Sequence, residues 1–240
     1  MRSLKERFEM PLPQWIEEVN QEACSKIAAS QFAALCRAGD LRVMRNAVLV
    51  LWPFVDEFPH MLARGCRRLF FQMNLMLTHG PFEVISLLRR GREILREIKL
   101  DEEDHRKLWL LTGQVLDLNY PSDFYSKTSP AVEKWVARVD SSAKPFQMFM
   151  RFTAIEIIAE CISKNLLGSD KFKEILGTRG CRWFKAHTHP DIHAGMTHEE
   201  LALHLGFTFH PGNPTKQECS ETIQEVVDLF LDAAAECVAQ

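Results

Sequence analysis

Chemistry in this chain is concentrated in its histidines and a few carboxylates at helical spacing. Six of the nine histidines lie between His187 and His210. Within Cys181 to His198, a regular helix places His187, Asp191 and His198 close in angle, because offsets of four and eleven residues return nearly to the starting direction. Two imidazoles and a carboxylate would then face inward together. The competing reading is a histidine-rich helix end, opened by Pro190 and turned to solvent. A second candidate pair is Glu102 and His105, three apart on one face of a long helix, a spacing by which bundle helices aim a carboxylate and an imidazole at a core metal. Its competitor is plain: Asp-Glu-Glu-Asp-His-Arg-Lys is the composition of a solvated face laced with ion pairs. The third candidate is Glu156, set between Ile155 and Ile157. Burying it unpaired costs several kcal/mol or forces it to protonate. A metal removes that cost, as would turning outward or pairing with Arg151. Taken together, these segments offer three Glu/Asp and about three His from separate helices, a donor set suited to two iron or manganese ions.

The elements that must position these groups are helical. The 240 residues carry 46% hydrophobic side chains, enough for a sizeable core. Apolar residues recur at three- and four-residue spacing, and no period-two stretch is bounded by hairpin chemistry. Helices are predicted over roughly 14–37, 41–63, 81–118, 130–140, 145–167 and 181–205, with a last one starting near Pro214. Pro53 and Pro59 should kink or break the second. The polar stretch Asn119 to Pro130 is the longest interruption, but without a long linker or a repeat the simpler reading is one helical domain over residues 1–240.

Composition also narrows partners. With 29 basic and 32 acidic residues the net charge is −3, and no basic block favours nucleic acid or an anionic membrane. No apolar run reaches bilayer length and residues 1–10 lack a signal-peptide core, so a cytoplasmic protein is expected, and a homodimer is compatible with the sequence. Seven singly scattered cysteines, an odd number without a CxxC pair, argue against a zinc ribbon or a disulfide framework and read as mostly reduced packing residues.

In order, the segments Leu51-Trp-Pro-Phe-Val-Asp-Glu-Phe58, Asp101 to Trp109, Ala154-Ile-Glu156, Trp183-Phe-Lys-Ala-His187 and Asn213-Pro-Thr-Lys216 resemble the haem-oxygenase-like diiron oxidases. That helical family includes a fatty-acid decarboxylase making terminal alkenes and a nitrile synthase acting on a halogenated tryptophan. The resemblance covers most of the chain. It implies an all-α, haem-oxygenase-like bundle of about seven helices. It also implies two Fe(II) ions with O2 as co-substrate, and Glu102, His105, Glu156, His187 and Asp191 as metal ligands. The family's last histidine falls seven residues after the first, where this chain has Ala194. His193 through a one-residue deletion, or His198 from the next turn, would replace it, and helical phase favours His198.

The activity so implied is O2-dependent oxidation of a small aromatic amino acid, conversion of a tryptophan to an indole carbonitrile, with Glu102 and Glu156 at the catalytic centre. Sixteen Phe and nine Met would suit an apolar pocket for it. Oxidative decarboxylation of a medium-chain fatty acid is the alternative within the enzyme class. A non-catalytic helical protein that binds a ligand or partner is the alternative outside it.

Overall fold

Cap chemistry sets most helix boundaries in this computed structural model, which describes residues 8–69, 80–126, 129–141, 144–188 and 196–239. The described residues form α1 (Trp15–Ala28), α2 (Gln31–Arg37), α3 (Leu41–Val50), α4 (Trp52–Arg68), α5 (Pro81–Val115), α6 (Pro130–Asp140), α7 (Pro145–Leu167), α8 (Asp170–Gly180), α9 (Arg182–Thr188), α10 (His198–Phe209) and α11 (Lys216–Ala239). Ser30, Asp40, Ser129 and Ser169 each accept a bond from a backbone N–H of the first turn of the helix they precede. Pro81, Pro130 and Pro145 open α5, α6 and α7, where a missing N–H has no intrahelical partner to lose.

Among the described residues, seven expected spans become eleven helices, because three are cut by local chemistry and α8 was not expected. The span 14–37 breaks at Ser30, whose extended ψ of 147° caps α2. The span 41–63 breaks at Leu51, so Pro53 falls in the first turn of α4; that helix then runs on to Arg68 with Pro59 inside it. Helix α8 escapes periodicity because it is short and interrupted by Gly177, which adopts φ 59°. The largest correction concerns 181–205, which is not one helix. α9 ends at Thr188, and α10 starts afresh at His198 under a capping box in which Thr197 Oγ1 accepts from Glu200 N and Glu200 Oε2 accepts from Thr197 N. Thr-x-x-Glu is a start signal that outweighs the apolar spacing across it.

Helix α7 is the axis of the molecule. Buried residues occupy nearly all its faces, from Phe146 to Leu166, as expected for a helix surrounded by others. α10, α9, α11 and α1 pack around it, while α5 lies against α4, α8 and α9. At 35 residues, α5 is about 52 Å long and crosses the whole bundle. It is anchored by Trp109 Nε1, which donates to Val48 O at 3.1 Å, and by Thr112 Oγ1, which donates to Gly180 O at 2.8 Å. The loop after α5 folds back onto α4, its Phe124 buried against Trp52 with ring centroids 5.2 Å apart.

The cysteines are not all reduced packing residues. Cys24 of α1 and Cys161 of α7 form a disulfide, their Cα atoms 5.3 Å apart. Their 137-residue separation conceals the pair in the sequence; it follows from the packing of α1 on α7. Cys36, Cys66, Cys181, Cys219 and Cys237 are free. Among the described residues, no helix is long and apolar enough to cross a membrane.

Candidate metal centre

Four helices converge on one buried point. α5 contributes Glu102 and His105, α7 contributes Glu156, α9 contributes His187, and the first residue of α10 is His198. Ligand atoms of Glu102, His105 and His187 lie within 4.8 Å of one another, as do those of Glu102, Glu156 and His198. Glu102 belongs to both groups. The three histidines are each less than 10% exposed, and the side chains of Glu102 and Glu156 are 11% and 13% exposed. The Asp-Glu-Glu-Asp-His run is therefore a solvated face only in part, since Glu102 and His105 turn inward while Glu103 and Asp104 pair with Lys99 and Lys107.

Hydrogen bonds orient the imidazoles. His187 Nδ1 lies 2.9 Å from the carbonyl oxygen of Trp183, one turn earlier, and that acceptor fixes Nδ1 as the donor and leaves the Nε2 lone pair free. The Trp183 ring packs on the His187 ring at 4.0 Å between centroids, and Trp109 backs it at 4.7 Å. His105 stands 4.4 Å from His187, ring to ring, and its Nδ1 is 3.0 Å from Glu102 Oε1. His198 Nε2 lies 3.0 Å from Asp101 Oδ2, and its Nδ1 lies 3.9 Å from Glu156 Oε1.

Charge in this pocket is unbalanced toward the negative. Burial works to raise the Glu102 carboxyl, but the charge and hydrogen bond of His105, with His187 and His198 behind it, hold it below the usual glutamate value. Glu156 has no such relief: burial first, then Glu102, and beyond it Glu199, Asp101 and Glu160, push it well above that value. Burial and the neighbouring His105 lower His187 to about 4, which keeps it neutral. Among the described residues no lysine or arginine is ion-paired to Glu156; Arg151 instead donates to Arg138 O and Ser141 Oγ. Neutral imidazole nitrogens beside crowded carboxylates are the donors a divalent transition ion takes, and such an ion supplies the positive charge that Glu156 lacks. The residues fit a pair of divalent ions.

Five of the expected ligands meet here: Glu102, His105, Glu156, His187 and His198. Asp191 and His193 lie outside the described residues. His198 reaches the cluster by a different route from the one periodicity suggests: it stands on a separate helix from His187 and arrives as the first residue of α10. Two participants are missed by the sequence reading. Asp101 holds His198, and Glu199, bonded by Asn20 Nδ2 at 2.5 Å, is raised to about 7, chiefly by burial. The only sequence signal for either is adjacency to a ligand.

Two cavities meet at the cluster. One, of about 90 Å³, is apolar and aromatic, with Phe58, Trp109, Trp183 and Phe184 in its wall and Glu102, Glu156 and His187 at one edge. The other, of about 370 Å³, is polar and includes His105, His198, Glu160 and Glu199. Glu156 and His187 border both.

A TenA homolog from Pseudomonas syringae pv. tomato superposes on this architecture with a TM-score of 0.75, covering 100% of this chain and 98% of that one at 17% identity. The fold is a haem-oxygenase-like helical bundle. No protein-family model and no curated protein matches the sequence. At that identity the likeness extends to the fold alone.

Proposed function

We propose that the protein is a non-haem diiron, O2-dependent oxidase. The observation that carries this reading is the pair of three-residue ligand groups sharing Glu102 inside the bundle. There His105 and His187 would hold one ion and Glu156 and His198 the other, Glu102 being a member of both groups. Asp191 adds a carboxylate on the strength of the sequence resemblance. Bound there, two Fe(II) ions supply the electrons that activate O2.

The chain's own contribution is placement and exclusion. Neutral His187 keeps its Nε2 lone pair for coordination because Nδ1–H is committed to the Trp183 carbonyl. Glu156, whose carboxyl is raised well above the usual glutamate value, holds its proton more tightly than an ordinary glutamate, and a cation bound there would displace that proton to solvent. Phe58, Trp109, Trp183 and Phe184 keep water from the apolar side and receive the substrate's apolar portion against the Glu102 and Glu156 edge.

The aromatic wall supports a small aromatic amino acid as substrate, with a tryptophan converted to an indole carbonitrile as the specific form. One observation favours a second reading: among the described residues, the apolar cavity has no lysine or arginine in its lining to receive a substrate's charged groups away from the metal edge. A medium-chain fatty acid, charged only at its head, answers that description and would be oxidatively decarboxylated to a terminal alkene. The experiment is O2 consumption by Fe(II)-loaded protein over tryptophans, other amino acids and medium-chain fatty acids, with product analysis. Turnover of a tryptophan to a nitrile supports the first reading, and turnover of fatty acids alone supports the second. Failure to bind iron returns the protein to a non-catalytic helical binder.

A further inference from the structure

We infer that Asp101 is a positioning residue for the second metal ion: it selects the tautomer of His198 and thereby makes Nδ1 the ligand atom. The inference rests on the diiron reading and deepens it.

The geometry begins on α5. Neighbouring residues on a helix diverge by about 100°, so Glu102 enters the cluster while Asp101 is directed to one side of it, 25% exposed, where the N-terminus of α10 docks. His198 is the first helical residue there, and the Thr197–Glu200 capping box fixes its backbone independently of any metal. Its ring then has two nitrogens with unlike surroundings. Nε2 is 3.0 Å from Asp101 Oδ2, a hydrogen-bond distance. Nδ1 is on the side of Glu156, 3.9 Å from its Oε1, and His198 shares a ligand group with Glu156 and Glu102.

In this contact a ring N–H donates and the carboxylate oxygen accepts, which places the ring proton on Nε2. In the neutral ring Nδ1 then carries the lone pair. A carboxylate behind a ligating imidazole fixes ring orientation and raises ligand basicity, and loss of such a partner weakens metal binding by about 10–100-fold. Asp101 also ties the first residue of α10 to α5. Rotation of the His198 ring, which would present Nε2 to the metal instead, breaks that tie.

The test is metal affinity, measured anaerobically with Fe(II) and with Co(II) against a competing chelator, on wild type, Asp101→Ala, Asp101→Asn and His198→Ala. Asp101→Ala should weaken one of the two ions by about 10–100-fold and leave the other unchanged. His198→Ala should weaken the same ion further, and Asp101→Asn, which retains an acceptor oxygen, should fall between. Unchanged affinities in Asp101→Ala, even with a lowered melting temperature, would overturn the inference and leave the diiron reading standing. A readout free of metal separates the two. In ¹⁵N-histidine-labelled metal-free protein at about pH 8, above the ordinary imidazole range, His198 should show the Nε2–H tautomer in wild type and lose that preference in Asp101→Ala. An Nδ1–H tautomer in wild type would refute the role of Asp101 whatever the metal content. Failure of wild type to bind metal would instead count against the proposed function.

Discussion

Replacing Glu156 by Gln should stabilise the metal-free protein and destabilise the metal-loaded one relative to wild type. Ligand atoms of Glu156 and Glu102 lie within 4.8 Å. At that separation and an effective dielectric of about 20, two ionised carboxylates repel by about 3.5 kcal/mol. Wild type escapes part of this by protonating Glu156, so the net relief on substitution is about 1–3 kcal/mol, or a rise of roughly 2–10 °C in Tm for a chain of this size. Gln preserves volume, which keeps packing changes out of the comparison. The sign of the pH dependence follows from the raised carboxyl. Below the usual glutamate value of 4.5, native and unfolded chains both hold the proton, and the advantage of Gln vanishes. As pH rises, the unfolded chain releases it first, wild type loses stability up to the raised folded value, and the gap opens. With Fe(II) added anaerobically at about 100-fold over Kd, wild type gains about 2.7 kcal/mol for each ion, the variant loses most of one ion's share, and the order reverses. Thermal melts of both proteins from about pH 4 to 8, with and without Fe(II), make the measurement. A metal-free variant no more stable than wild type at pH 7, or an order that does not reverse with iron, would show that Glu156 is not a crowded carboxylate facing a cation.

Other perturbations separate the site from its scaffold. Glu102→Ala and His105→Ala should each lower iron content by metal analysis and abolish turnover, whereas Glu103→Ala, which removes only a surface partner of Lys99, should keep full iron and change stability by less than about 1 kcal/mol. Thiol titration of the unfolded, unreduced chain should find the five free cysteines, and titration after reduction all seven; reduction should cost about 2–5 kcal/mol by denaturant unfolding. Gly113→Ala places a Cβ 2.5 Å from Phe124 and 3.2 Å from Val48, so it should lose about 1–3 kcal/mol by the same assay.

What the sequence made legible was whatever depends on one helix at a time. The spans of α6 and α7 match their periodic stretches closely, and Glu102 with His105, three apart on α5, needed only helical phase. Glu156 was visible because a carboxylate among isoleucines is an energetic anomaly wherever its helix packs. The failures arise where a decision is tertiary or where two local signals compete. Apolar spacing over 181–205 suggested one helix, and the Thr197 capping box made two; His198 nevertheless reaches the cluster because α10 packs on α7 and meets α5 at Asp101. The Cys24–Cys161 pair is invisible at a separation of 137 residues until α1 is laid against α7. Asp101 looked like one more member of an acidic run, and only the arrival of α10 distinguishes it from Asp104.

The central claim is that the bundle holds two metal ions at a site sharing Glu102. Its most direct measurement is anaerobic titration of the metal-free protein with Fe(II), followed by gel filtration and iron assay. Two iron ions per chain in wild type, with a loss in Glu102→Ala that reaches both, is the predicted result. Retention of no iron by wild type, or of the full complement by Glu102→Ala, would contradict it.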